Sequence, residues 1–271
     1  MFIVFSIILL SFIEALTEFA PVSSTAHLLL FVRLLGLESN PAFEVAIIVM
    51  QLGAILAVVF LYKNTLLPAN FGVVELKKFS IIYSKLALAF VPTGLCGILF
   101  YKTIKQIFFT SPLPSAILLI VGGLLLIKKY NPTKQYSLES IPLKFLLIIG
   151  LFQAVSIFPG VSRAGATIVC ALMLGLDNRT AFEISFFLAL PTILSASIYE
   201  IVFGSVQGIA VIDILQQKQN LIIIGSCFML SFIFASLIVP KIIAFGQKYG
   251  VKMFGYYRIA LGLCIIVFSC I

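Results

Sequence analysis

Two short stretches of the chain carry most of the side chains that could do chemistry. Residues 14–27 hold two glutamates, several hydroxyl residues and the chain's only histidine, and residues 153–167 hold an arginine among serines and glycines. Both stretches interrupt an otherwise apolar sequence. Because charged and polar groups are costly in hydrocarbon, such interruptions mark a candidate functional site.

The acidic residues of the first stretch predict a cation site. Glu14 and Glu18 are four residues apart and share one helix face. Their like charges repel, and each would cost about 2.5–3.5 kcal/mol at the bilayer centre. A divalent cation, an arginine or a proton must offset that repulsion. Carboxylates with neighbouring hydroxyls suit a hard ion, so we expect Mg²⁺ or Ca²⁺ at Glu14 and Glu18.

Both stretches also contain residues that suit a phosphate group. They are Ser23, Ser24 and Thr25 in the first, and Gly160, Ser162, Arg163 and Gly165 in the second. Hydroxyls and backbone N–H groups at a helix start form an anion site, arginine adds a bidentate fork, and glycine lets backbone amides approach a ligand. His27 could act as general acid or base, or attack phosphorus itself.

Composition places this chemistry in a membrane. The 271 residues are 62% hydrophobic and only 10% charged, with a mean hydropathy of +1.20, whereas soluble domains carry about 25% charged residues. Apolar runs of roughly 20 residues recur, which predicts an all-α polytopic membrane protein. The net charge of +8 is typical of cytoplasmic loops of such proteins, so we expect no nucleic-acid partner.

The two stretches belong to an internal duplication. At an offset of 139 residues Phe19 aligns with Phe158, Ser23 with Ser162 and Gly123 with Gly262. Each half is predicted to form one re-entrant helical hairpin and three transmembrane helices. The first half, 1–130, has its hairpin at about 2–36 and spans at about 42–62, 84–101 and 112–127; the second, 141–271, has its hairpin at about 143–176 and spans at about 181–203, 220–239 and 253–271.

An odd number of crossings in each half gives the halves opposite orientations. The resulting inverted-topology repeat places ligand sites at the repeat interface near the membrane midplane. Thirteen of the 18 lysines and arginines, Arg258 among them, fall on the side reached after the first full span, and four on the other. The positive-inside rule then puts both termini, and the opening of the site, on the outer face.

Residue chemistry alone leaves two functions open. Inverted repeats with broken helices are also typical of transporters, so a lipid-phosphate transporter or flippase is the alternative to an enzyme. Glutamates with a histidine favour the enzyme, because a carrier needs no nucleophile. A single histidine is more often structural than catalytic, and a lone membrane arginine can serve packing. Ser156 and Thr17 are assigned to helix–helix contacts.

The motifs resemble those of a known family. Glu14-x-x-x-Glu18, then Pro21-Val22-Ser23-Ser24-Thr25-x-His27, and later Pro159-Gly160-Val161-Ser162-Arg163-x-Gly165-Ala166-Thr167 are similar to the signatures of the bacterial undecaprenyl-pyrophosphate phosphatases of the bacitracin-resistance type. The likeness covers nearly the full length. One departure is Ala164, where the family usually has serine.

The resemblance implies a function and a set of residues. It implies hydrolysis of the C55 isoprenoid pyrophosphate to its monophosphate at the outer face of the bacterial inner membrane, with a divalent cation, in recycling the lipid carrier of cell-wall synthesis. Membrane lipid would surround the protein; a homodimer is one alternative for its oligomeric state. The implied catalytic residues are Glu18, Ser24, His27 and Arg163, supported by Glu14, Ser23, Thr25, Ser162 and Thr167. The nucleophile stays open between Ser24, His27 and a cation-bound water.

Overall fold

The computed structural model of the chain describes residues 1–68, 70, 72–108 and 112–269; the side chains of 101–108, 268 and 269 are outside this description. Within these ranges the chain forms α-helices joined by short connections. They are α1 (Phe2–Thr17), α2 (Ser24–Leu34), α3 (Pro41–Leu61), α4 (Lys63–Leu66), α5 (Val73–Phe108), α6 (Leu113–Ile127), α7 (Leu143–Gln153), α8 (Arg163–Met173), α9 (Asn178–Phe203), α10 (Val211–Gln216), α11 (Lys218–Tyr249) and α12 (Lys252–Ser269).

Four of the described helices are long and apolar enough to cross a membrane, namely α3, α5 up to Phe100, α9 and α11. Large apolar side chains are exposed along them: Leu99 of α5 and Phe203 of α9 are each 73% exposed. Water would penalise such a surface, whereas lipid tails accommodate it. The chain is therefore an all-α, multi-pass membrane protein.

Several helix ends differ from those predicted. Helix α5 begins at Val73 rather than near residue 84, so Lys77 and Lys78 are helical rather than in a loop. Helix α11 continues to Tyr249, beyond residue 239. The predictions ended each helix where its apolar run ends, but lysine is a good helix former and backbone hydrogen bonding continues past the apolar part. A two-stranded hairpin, β1 (Ser205–Val206) with β2 (Ile209–Ala210), was not predicted.

The two polar stretches have matching backbone conformations. Helices α2 and α8 have the same length and begin 139 residues apart. The residue before each is a serine in the left-handed region, with φ 72° at Ser23 and 69° at Ser162. A glycine of positive φ, Gly36 or Gly175, lies two residues after the last residue of each helix. Non-glycine residues rarely adopt positive φ, so the sequence duplication extends to an unusual local geometry.

Helices of the two halves pack mainly against each other. Helix α3 packs against α11, α1 against α11, α5 against α7 and α9, and α6 against α12. Glycines allow the closest approach in the α6–α12 pair: a Cβ on Gly123 would lie 2.7 Å from the Gly255 carbonyl oxygen, and one on Gly262 would lie 2.7 Å from that of Ala116. The core therefore lies between the halves rather than inside either one.

Candidate active site

Two breaks between short helices form the walls of the site. The first break, residues 18–23, connects α1 to α2, and the second, residues 158–162, connects a 3-10 turn (Ala154–Ile157) after α7 to α8. In the second break Gly160 has φ +100°, and a Cβ there would collide with the backbone of Ser115 in α6. Ser162 caps α8 by accepting a hydrogen bond from the Gly165 N–H at 3.1 Å. Glycine is thus needed for both conformation and packing at position 160.

Three predicted residues meet where the breaks approach each other. Arg163 Nη2 donates to Glu18 Oε1 at 2.8 Å, and Ser24 Oγ donates to Glu18 Oε2 at 2.5 Å. The Glu18 and Arg163 side chains are only 8% and 10% exposed. Glu18 follows the last residue of α1, while Ser24 and Arg163 are the first residues of α2 and α8. One carboxylate therefore joins a hydroxyl of its own half to a guanidinium of the other.

Arg163 is held by more than its ion pair. Its Nη1 donates to the Ser185 carbonyl oxygen in α9 at 2.9 Å, and its guanidinium lies 5.9 Å from the centre of the Phe19 ring. Removing one partner of such a buried pair leaves an uncompensated charge, at a cost of about 3–5 kcal/mol. The guanidinium is therefore positioned before any ligand arrives, and only its partner must change when an anion binds.

A cavity of about 590 Å³ opens beside this cluster. Its polar end contains the clustered residues and four others predicted to bind substrate. These residues are Glu18, Ser24, Arg163, Ser23, Thr25, Gly160 and Ser162. Away from them the cavity continues between α5 and α9, along apolar residues that include Phe90, Ile98, Ile198 and Phe203. The cavity thus joins a polar end at the two breaks to a more apolar end between α5 and α9.

Two predicted substrate-binding residues do not line this cavity. Thr167 Oγ1 donates within its helix and lies 2.8 Å from Ser185 Oγ, which ties α8 to α9 behind Arg163. A Cβ on Gly165 would lie 2.7 Å from Nη1 of Arg258, so Gly165 makes room for a side chain rather than for a ligand. Ala164 is also buried, at 1% exposure, and does not line the cavity.

His27 lies behind the first break and does not line the cavity. Its Nδ1 is 2.7 Å from the Ser23 carbonyl oxygen, and its Nε2 is 2.6 Å from the Tyr257 hydroxyl. Because a carbonyl oxygen only accepts, Nδ1 carries the proton and Nε2 accepts from tyrosine in the neutral ring. Both ring nitrogens are therefore occupied: Nδ1 by Ser23, the residue before Ser24, and Nε2 by Tyr257.

Glu14 is fully buried, and both of its carboxylate oxygens lack a hydrogen-bond partner in the described structure. It is within electrostatic range of Glu18 and Arg163. Among the residues that the structure describes, no three His, Cys, Asp or Glu side chains cluster to form a complete metal site. Mg²⁺, however, usually takes only one or two protein carboxylates and completes its shell with substrate phosphates and water. The unpartnered Glu14 carboxylate could therefore serve as one ligand of such an ion, but its side chain does not line the cavity.

Arg258 was placed among the loop cations from the sequence, and that placement is wrong. It lies inside α12 and is 1% exposed, in contact with both breaks. A lone arginine in an apolar helix is itself a signal of function. Sequence reasoning assigned no role in the site to Tyr257 or Ser185, whose contacts join residues far apart in the chain.

Comparison with known proteins adds independent information. The family model "Bacitracin resistance protein BacA" matches residues 7–264. An undecaprenyl-diphosphatase of Persephonella marina is 42% identical over 269 residues, which are 96% of this chain and 97% of that protein. The undecaprenyl-diphosphatases of Wolinella succinogenes and Aquifex aeolicus are 40% and 35% identical, over 98% and 96% of each chain respectively.

Proposed function

Because the chain belongs to the bacitracin resistance protein BacA family, we propose that it is an undecaprenyl-diphosphatase. It hydrolyses undecaprenyl pyrophosphate to undecaprenyl phosphate and inorganic phosphate, and so recycles the lipid carrier. The observation that carries this conclusion is the Ser24–Glu18–Arg163 cluster at the polar end of an apolar cavity. The relatives are named as phosphatases, and the transporter alternative is not favoured.

We propose Ser24 as the nucleophile and Glu18 as its base. When the substrate binds, the Arg163 guanidinium pairs with the terminal phosphate, and Glu18 is released from its ion pair. The Ser24 oxygen then bonds to the terminal phosphorus while its proton passes to Glu18, and the bridging P–O bond breaks to release undecaprenyl phosphate. Water then attacks the phosphorus, the Ser24 O–P bond breaks, the Glu18 proton returns to the Ser24 oxygen, and inorganic phosphate is released. The hydrogen bond that Ser24 Oγ donates to Glu18 supports this assignment.

Three further groups are given supporting roles. Ser23, Thr25 and Ser162 line the cavity and are proposed to bind phosphate oxygens. A cation held by Glu14 and Glu18 would neutralise phosphate charge as a Lewis acid. His27 is proposed to orient the first break through Ser23, because both of its nitrogens are occupied.

We also propose that the breaks are the tips of two re-entrant hairpins in an inverted-topology repeat, one in each half (1–130 and 141–271). The matching of α2 with α8 and of Ser23 with Ser162 supports this arrangement. Non-helical backbone at membrane depth is tolerated where it is buried or lines a cavity, and both breaks meet that condition. The loop-charge asymmetry supports an inner-membrane protein with its site open to the periplasm.

The apolar end of the cavity is proposed to hold the first isoprene units of the substrate. Gly97 of α5 lines it, and a Cβ there would meet no atom within 4 Å. Gly97→Leu should therefore fill the groove without disturbing protein atoms. We expect KM for a long-chain isoprenyl pyrophosphate to rise about tenfold.

A matched control exists in α11, where a Cβ on Gly225 also meets no atom within 4 Å but lies away from the cavity. Gly225→Leu should leave KM unchanged. Steady-state phosphate release, measured for both variants in detergent, distinguishes these outcomes. Equal KM values for the two variants would place the isoprene chain outside this groove.

The proposed activity is tested directly by phosphate release from purified protein. We expect release from undecaprenyl pyrophosphate, loss of at least about 90% of the rate with a chelator, and recovery when Mg²⁺ or Ca²⁺ is restored. Thermal unfolding with and without chelator controls for loss of fold. Full activity in chelator would remove the cation from the mechanism, and a folded protein without activity would contradict the proposed function.

A further inference from the structure

Arg258 makes an unusually complete set of hydrogen bonds. Its five N–H donors reach five backbone carbonyl oxygens at 2.8–3.2 Å: those of Pro21, Gly160, Val161, Leu118 and Leu119. A guanidinium has five such donors and no acceptor. Every donor is therefore used, and none is left for a substrate.

These carbonyl groups come from three separate parts of the chain. Pro21 lies in the first break, Gly160 and Val161 lie in the second, and the other two belong to α6. One side chain of α12 thus holds both breaks against a common support. Its neighbour Tyr257 bonds His27 behind the first break, so consecutive residues of α12 contact both polar stretches.

The surrounding structure leaves the guanidinium little freedom. A Cβ on Gly122 would collide with Nη2 and Cζ of Arg258, and one on Gly165 would lie 2.7 Å from Nη1. In the ranges the structure describes, no carboxylate forms an ion pair with Arg258. A buried charge without a counterion is expensive unless it is fully hydrogen-bonded. The five backbone carbonyl oxygens therefore supply the hydrogen bonds that compensate the buried charge of Arg258.

We infer that Arg258 is a positioning residue for the phosphatase reaction. Its guanidinium sets the distance between the first break, which carries Glu18 and Ser24, and the second, which leads into Arg163. This inference rests on the proposed function. Arg258 itself does not line the cavity, so it acts through the breaks and not on the substrate.

Loss of the Arg258 contacts should displace the nucleophile more than it weakens substrate binding. The apolar end of the cavity, formed by α5 and α9, lies outside the Arg258 contacts. A misplacement of about 1 Å at a reacting group can lower the rate about 100-fold. We expect Arg258→Met to lower kcat by about that factor, with KM changed by less than about threefold.

Arg258→Lys tests whether the fork or the charge matters. Lysine keeps the charge, but its single ammonium cannot reach carbonyl groups of three segments. We expect Arg258→Lys to stay at least about tenfold below the wild-type kcat. A lysine variant with wild-type kcat would overturn the inference, since charge alone would then suffice.

Gly122→Ala provides a test that keeps the arginine. Its added methyl group meets only Arg258 atoms among its nearest neighbours, so it should displace the guanidinium and lower kcat. In an Arg258→Met background it should have no further effect, because the colliding group is gone. Gly225→Ala, with open space around its Cβ, is the control.

The measurements are kcat, KM and the unfolding temperature of each purified variant, with undecaprenyl pyrophosphate as substrate. Reduced kcat in Gly122→Ala at an unchanged unfolding temperature supports the inference even if Arg258→Met fails to fold. Wild-type kcat in Gly122→Ala, or kcat losses that multiply independently in the double variant, would overturn it. Inactivity of the wild-type protein would instead contradict the proposed function.

Discussion

Replacing Arg163 with alanine is expected to lower kcat/KM for undecaprenyl pyrophosphate by at least about 1,000-fold. Arg163 is the only guanidinium among the residues lining the described cavity, and it is already oriented by Glu18 and Ser185. Without it, the transferred phosphate loses its main charge partner. Glu18 also loses the contact that holds its carboxylate in place beside Ser24.

Two further variants make the Arg163 result specific. Arg163→Lys keeps the charge without the fork and should lose about 100-fold. Arg179→Ala removes another arginine whose ion pair with Glu183 is exposed, and it should stay within about twofold of wild type. Phosphate release under single-turnover conditions measures all three. An Arg163→Ala rate within tenfold of wild type would show that the phosphate is bound elsewhere.

Ser24→Ala should lower kcat by about 1,000-fold while leaving the Glu18–Arg163 ion pair in place. The control is Ser156→Ala, because Ser156 also lines the cavity but lies in the 3-10 turn before the second break. We expect its kcat to stay within about twofold of wild type. Acid quenching with terminally labelled substrate should trap phosphoserine in wild-type protein and not in Ser24→Ala.

Near-normal turnover by Ser24→Ala would exclude the serine mechanism. The nucleophile would then be His27 or a cation-bound water, both of which the sequence left open. For His27 to attack, its Nε2 would have to leave the Tyr257 hydroxyl. Tyr257→Phe would then raise activity rather than lower it, which separates the two remaining nucleophiles.

The sequence predicts the membrane-helix class and the residues of the central cluster because both depend on local signals. Apolar runs mark the helices, and polar breaks with Glu18, Ser24 and Arg163 stand out against them. The offset of 139 residues further indicated that the two breaks correspond, and the structure brings their residues within hydrogen-bonding distance. These features need no knowledge of which helices are neighbours.

The contacts of Arg258 and His27 could not be predicted in the same way. Arg258 bonds residues 97, 98 and 237 positions away, and His27 bonds a tyrosine 230 positions away. Such pairs arise from the packing of α12 against α6, and no local pattern specifies them. The start of α5 at Val73 could likewise not be predicted from hydropathy. Residues outside the apolar run also favour helix, and a hydropathy pattern does not measure helix propensity.

The packing of each half mainly against the other has a consequence for biosynthesis. Helices α1 and α3 find their main partner only in α11, and the two breaks receive their shared support only when α12 has followed. We therefore expect the first half to lack its main packing partners in the bilayer until α11 and α12 have been synthesised. A chain that stops before α12 would contain Glu18, Ser24 and Arg163 and yet lack the side chain that aligns the two breaks. We therefore expect catalytic competence only after α12 has been synthesised, and products truncated before α12 should enter the membrane without acquiring it.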